Sequence, residues 1–289
     1  MFKNAKFSLL ILACFCLIPW NRAAADTNVS SGSITNPIWT PEESPYLITG
    51  TLEVAKGATL KINAGTEVRF SPGAKLLVNG ELDILGTAAD PVMLTLNSLS
   101  SATSTSGLWG GIEFGTNAVS ADFSNGNYIN GSIIKNAIIK FSEGVKCNDA
   151  SPYITASQFV NNSVGLYITG TSSSVGGLIL GSAATSNNDS RVTPMYVSGN
   201  TFSDNGIGIA VNRNNGQDYV ITPVGYSYIG NKVITAYIDK NTISGSSIGI
   251  QAANGDNVII TDNTIRYNSG TAIFLAAGRG HVVQNNDLN

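Results

Sequence analysis

Paired carboxylates, a poised base, a nucleophile with its imidazole, or a cluster of metal ligands would each announce a reaction. Each can be looked for by residue type and spacing. His281 is the single histidine. No imidazole cluster for zinc or copper can therefore form, and no Ser–His–acid set has an alternative base. No glycine-rich loop follows a strand and opens a helix, so no nucleotide phosphate cradle is expected, and no cofactor. Asp204, Arg213 and Asp218 could converge only if the segment between Asn212 and Ala236 folds back on the chain. Lys240 beside Asp262 is the best charged contact, and it reads as a surface ion pair. The remaining candidates bind without reacting. Trp109, Tyr219, Tyr226 and Tyr228 lie in loop-like stretches and would serve as stacking platforms, with Asp204 and Arg213 as polar partners.

The elements that must position these residues repeat. Asn200, Asn241, Asn263 and Asn286 each stand two residues before an apolar residue, at steps of 41, 22 and 23 residues. A unit of about 22 residues is being copied, with Asn136 assigned to the same register. Within each unit apolar residues alternate with Gly, Ser and Thr, the pattern of short strands. From Tyr46 the inward pairs are Leu52 and Val54, Leu60 and Ile62, and Val68 and Phe70. They recur as Leu76 and Val78, Leu82 and Ile84, and Val92 and Leu94. Three short strands per coil imply a triangular section, and a unit this small must stack on its neighbours to bury its apolar face. The asparagines suit a tight corner and can hydrogen-bond along the stack as a ladder, which Ser157 would interrupt. Thr201, Thr242 and Thr264 also align, but Asp287 breaks that column and no second one flanks it, which argues against an ice-binding array.

Residues 1–25 read as a secretory signal peptide, with Lys3 and Lys6, an apolar run from Phe7 to Ile18, and Ala23–Ala25 before Asp26. Its removal leaves 13 basic residues against 19 acidic ones, a net charge near −6. Nucleic acid is therefore not an expected partner, and no later segment is long and apolar enough to span a bilayer. Cys147 is then the single cysteine, expected as a buried small hydrophobe without a disulfide. Residues 26–45 suit a lead-in or cap, and 46–289 a solenoid with inserted loops near 97–107, 115–130, 170–192 and 212–236. After Asn286 and Leu288 no cap sequence follows. An uncovered parallel edge there invites pairing, so the expectation is that the natural protein is longer, that a partner associates through the C-terminal coil, or that the last few residues fold over it.

The stretch "GTLEVAKGATLKINAGTEVRF…LLVNGELDILGTAADPVMLT", then "WGGIEF", "SPYITASQFVNNSVGLYI" and "NTFSDNGIGIAV", resembles the repeats of bacterial right-handed parallel β-helix proteins of the pectin-lyase-like superfamily. The resemblance covers nearly all of the chain after the signal peptide and implies an all-β, single-stranded right-handed parallel β-helix. Its matching residues are core and turn positions, so it implies little about activity. Enzymes of that superfamily cleave polysaccharides, lyases with a basic residue and often calcium, hydrolases with paired carboxylates. At the two positions before the ladder stand Ser198 and Gly199, Asp239 and Lys240, Thr261 and Asp262, and Gln284 and Asn285; no two carboxylates stack in either column. The sequence thus favours an exported, non-catalytic scaffold that binds a polysaccharide or cell-surface glycan. A lyase or hydrolase is the alternative. A resemblance to periplasmic β-helix proteins that help assemble copper sites is weighed down by the shortage of His and Met.

Overall fold

The computed structural model describes residues 26–35, 37–97, 109–172, 195–215, 219–222, 225–228, 236–253, 257–276 and 280–288. The signal peptide expected over 1–25 lies outside them, as do most of the loops expected near 97–107 and 170–192.

Nearly every described element is a short strand, and the strands stack in parallel into one ten-stranded and two nine-stranded sheets. The chain visits the three sheets in rotation, which makes a right-handed parallel β-helix. One coil shows the plan. Met195–Ser198 lies in what we call the tyrosine sheet. Asn200 turns the corner into Thr201–Ser203 of the ladder sheet, and Asn205 turns the next into Ile207–Asn215 of the glycine sheet. Residues 26–45 already contribute a strand to each sheet, with Thr27 opposite Tyr46, Gly32 opposite Leu52 and Ile38 opposite Lys61.

Alternation dictates the section. Leu52, Val54, Leu60, Ile62, Val68 and Phe70 all point inward and are buried, and the next coil places Leu76, Val78, Leu82 and Ile84 above the first four. The third expected pair is corrected: Leu94 stands over Val68 and Leu96 over Phe70, because the turn between Leu85 and Val92 is longer than the one between Asn63 and Glu67. Inward columns therefore hold one apolar residue per coil, about 4.8 Å apart. Flat aromatics use that spacing by stacking: Phe159 on Phe202 with centroids 4.6 Å apart, and Phe70 on Trp109 at 4.0 Å.

Two of the three corners are tight, and each needs one residue in the left-handed region. Before the ladder that residue is Gly199, Lys240, Asp262 or Asn285; at the next corner Asp204 takes the same conformation. Buried asparagines hold the first corner. The backbone N–H and Nδ2 of Asn200 both donate to Asn241 Oδ1, at 2.9 and 3.1 Å, and Nδ2 also donates to the Ile154 carbonyl. Asn241 repeats this on Asn263, and Asn263 on Asn286. Ser157 sits in the row, its N–H donating to Asn200 Oδ1 and its hydroxyl accepting from the Ala137 N–H. Asn136 is corrected: it takes the left-handed position before the ladder (φ 49°), and Ala137 occupies the slot. Ile138, which would point inward if Asn136 held the ladder slot, is consequently only half-buried, while Ile139 is fully buried.

A second, shorter ladder holds the other corner. Asn162 donates through its N–H and Nδ2 to Asn205 Oδ1, and Asn162 Oδ1 accepts from Ser142. Each member follows the first row by five residues, a signal present in the sequence. The "GIGI" repeat also has a packing cause. A Cβ on Gly208 would lie 2.5 Å from the Gly249 carbonyl oxygen and 2.8 Å from Ile243 Cγ2, so only glycine admits the neighbouring coil and the crossing side chain there.

Candidate functional site

One outward column of the tyrosine sheet carries aromatic residues. Tyr153, Tyr196 and Tyr237 occupy the same register position on successive coils, followed by Ile259 and Val282. Each stands four residues before its ladder residue, so the corner that fixes the Asn row also fixes the tyrosines. Coil spacing presses the rings together: Tyr196 and Tyr237 stack with centroids 4.8 Å apart and planes 13° apart.

A hairpin leans over this column. Asp122–Ser124 pairs antiparallel with Asn127–Asn130 inside the expected 115–130 insertion. Phe123 projects from it onto Tyr196, 4.2 Å between centroids, and meets the ring of Tyr153 edge-on at 5.2 Å. Tyr128 of the same hairpin stacks on Tyr153. Its hydroxyl donates to the Gly131 carbonyl. Burial first, then the charges of Asp83 and Glu81, push the Tyr128 hydroxyl up to about 12. Asp83 lies in the same outward column, two coils before Tyr153. Burial, with the nearby Glu81 charge, pushes its carboxyl up to about 6 against the pull of Lys61.

Between the hairpin and the sheet lies a groove of about 470 Å³. Phe123 and Gly126 form one wall, Tyr196, Tyr237 and Ile259 the floor, and the polar row Ser198, Asp239 and Thr261 the other wall. Lys240 and Asp262 close the rim from the corner. Lys240 pairs with Asp239 of its own coil at 3.4 Å, where the sequence had pointed to Asp262. An apolar aromatic floor beside a few polar side chains can hold a flat, hydroxylated ligand.

The residues singled out from the sequence lie elsewhere. Trp109 is corrected from stacking platform to core: it is fully buried against Phe70, and its indole N–H donates to the Lys140 carbonyl at 2.9 Å. Asp204 is exposed at the corner between the ladder and glycine sheets, away from the groove. Tyr219–Thr222 and Gly225–Tyr228 form an antiparallel hairpin with Tyr219 opposite Tyr228. The side chains of Arg213, Tyr219, Tyr226 and Tyr228 lie outside the described residues, as does Asp218. Sequence reasoning missed the groove tyrosines, although their steps match those of Gly165, Gly208 and Gly249.

Soft metal donors are scattered. Cys147 and Met195 are fully buried in inward columns of different sheets, and Met93 is on the outward face of the third. Among the described residues no three of His, Cys, Asp and Glu come together around a point that could hold a metal ion. No helix among them is long and apolar enough to cross a membrane.

Comparison with known proteins places this fold in a family. A family model described as "Pectate-lyase like beta helix domain" matches residues 32–155, and one described as "Periplasmic copper-binding protein (NosD)" matches residues 133–289. A 73-residue stretch is 36% identical to Protein bark beetle of Drosophila melanogaster, covering 25% of this chain and 2% of that protein. No solved structure matches. The second family model spans more than half of the chain, through the coils that carry both Asn rows and the tyrosine column, and the chain belongs to the family described as periplasmic copper-binding protein (NosD).

Proposed function

We propose that this chain is an exported, non-catalytic β-helix scaffold that binds a glycan in the groove beneath the Phe123 hairpin. The observation that carries the reading is the floor of stacked tyrosines with a polar row of Ser198, Asp239 and Thr261 beside it. Aromatic rings offer apolar faces to the C–H faces of sugars, and the polar row offers partners to their hydroxyls. Export agrees with the family's periplasmic description and with the apolar segment expected at 1–25.

A lyase or hydrolase rests on likeness of fold. The ion pair of Asp239 with Lys240 engages both charges in a surface contact. A glycan array with the purified protein, run beside a turnover assay on polyuronates and neutral glycans, tests the reading. Binding without turnover, weakened when Tyr196 is changed to Ala, is the expected result. Turnover of any bound glycan would favour the enzyme instead.

The family description also brings copper to the chain. The donor set does not fit a copper centre built from the described residues, since Cu(I) asks for gathered thiolate, thioether or imidazole and the sulfurs of Met93, Cys147 and Met195 lie on three different sheets. A role in copper handling would then pass through contact with another protein. Competitive Cu(I) titration against a chromogenic chelator distinguishes the two: stoichiometric withdrawal of copper by the protein would restore a copper site to this chain.

A further inference from the structure

Resting on the glycan reading of the groove, we infer that its ligand is an uncharged sugar chain, one ring of which lies flat on the outer face of Tyr237, over Ile259. The rings of Tyr196 and Tyr237 are nearly parallel and one coil apart, so one face of Tyr237 is covered by Tyr196. The other face turns toward the next coil, whose register partner is Ile259. There the column drops from an aromatic ring to a shorter aliphatic side chain, and the groove opens at that step, with both Tyr237 and Ile259 in its lining. The ladder ends in a platform. Tyr153 and Tyr196 offer no comparable face: both rings are in contact with Phe123.

The polar groups around the platform select its occupant. Asp239 and Thr261 stand two residues along from Tyr237 and Ile259 in the same strands, and Asp262 follows at the corner. The one cation among the described residues of the lining, Lys240, is tied to Asp239, and its side chain is 71% exposed. Among the described residues that line the groove there are two carboxylates to one ammonium. Carboxylates accept hydrogen bonds from sugar hydroxyls, whereas a uronate would bring like charge to within a Debye length of them. The site therefore suits a neutral pyranose and disfavours the acidic polymers that pectate-lyase-like enzymes cleave.

Titration calorimetry on the purified protein tests this with cello-, manno- and N-acetylchitotetraose against tetragalacturonate. At least one neutral tetrasaccharide should bind ten times more tightly than tetragalacturonate. Tyr237→Trp, which keeps a flat face, should hold that affinity within threefold. Tyr237→Leu, which keeps apolar bulk without the face, should lose tenfold or more at an unchanged melting temperature. The double variant Asp239→Asn, Asp262→Asn should narrow the neutral-over-acidic preference at least threefold. Equal or tighter binding of tetragalacturonate, or wild-type affinity in Tyr237→Leu, would overturn the placement while leaving a glycan site in the groove. Failure of every sugar to bind the wild-type protein would instead remove the glycan reading itself.

Discussion

Replacing Asn241 with alanine removes one rung from the middle of the ladder, and its cost can be worked from the bonds it makes. Asn241 is 1% exposed. Its Oδ1 accepts from the N–H and the Nδ2 of Asn200, and its Nδ2 donates to the Val197 carbonyl and to Asn263 Oδ1. Some partners keep other bonds: Asn200 Nδ2 still reaches the Ile154 carbonyl, and Asn263 Oδ1 still receives the backbone N–H of residue 241. Two groups lose their side-chain partner, the Asn200 N–H and the Val197 carbonyl. Each buried unsatisfied group costs ~1–3 kcal/mol, so Asn241→Ala should destabilise by about 3–4 kcal/mol once the small void is included. Asn241→Ser should cost about half as much, because the Ser157 hydroxyl already accepts the preceding coil's N–H in this row. Urea unfolding followed by far-UV circular dichroism measures both, with the slope checked for loss of cooperativity in a stacked repeat. A loss below about 1 kcal/mol for Ala, or Ser as costly as Ala, would refute the view that the ladder bonds hold this corner.

Other substitutions separate core, corner and surface. Trp109→Ala should cost about 3–5 kcal/mol by urea unfolding, as expected for deleting a buried aromatic, and should leave glycan affinity unchanged. Gly208→Ala should cost about 3 kcal/mol or more, since its Cβ meets a backbone oxygen at 2.5 Å. Gly199→Asn should shift the thermal midpoint little, because Asn285 adopts the same left-handed conformation at the equivalent corner. Asp83 has a folded pKa raised to about 6, so the folded state binds more protons than the unfolded one between about pH 4 and 6. Stability should fall as pH rises through that window. Asp83→Asn should flatten the slope and stabilise the protein at pH 7 by about 1 kcal/mol, after allowing for solvent screening of a half-exposed carboxyl; melting temperature against pH reads both.

Core and corners could be read from the chain because period-2 alternation and left-handed turn residues are local properties repeated every coil. Leu60, Ile62, Val68 and Phe70 follow from alternation alone. Asn136 misled because the left-handed position and the ladder slot are adjacent and both accept asparagine; the bonds to the neighbouring coil separate them. Trp109 misled because its segment adjoins a long Ser/Thr-rich insertion, whereas its ring turns inward to stack on Phe70 of the preceding coil. The tyrosine column was available as a fixed offset from the ladder. The groove was not, because its second wall is Phe123, brought over the sheet by a hairpin whose position no periodicity sets.

The most direct test of the account follows the aromatic ring signals of the purified, isotopically labelled protein by NMR while it is titrated with whichever neutral oligosaccharide binds best. The account predicts saturable shifts at Tyr196, Tyr237 and Phe123, with Tyr267, 81% exposed beyond the groove, left unmoved. Saturable sugar binding that leaves Tyr237 and Phe123 unshifted would contradict it.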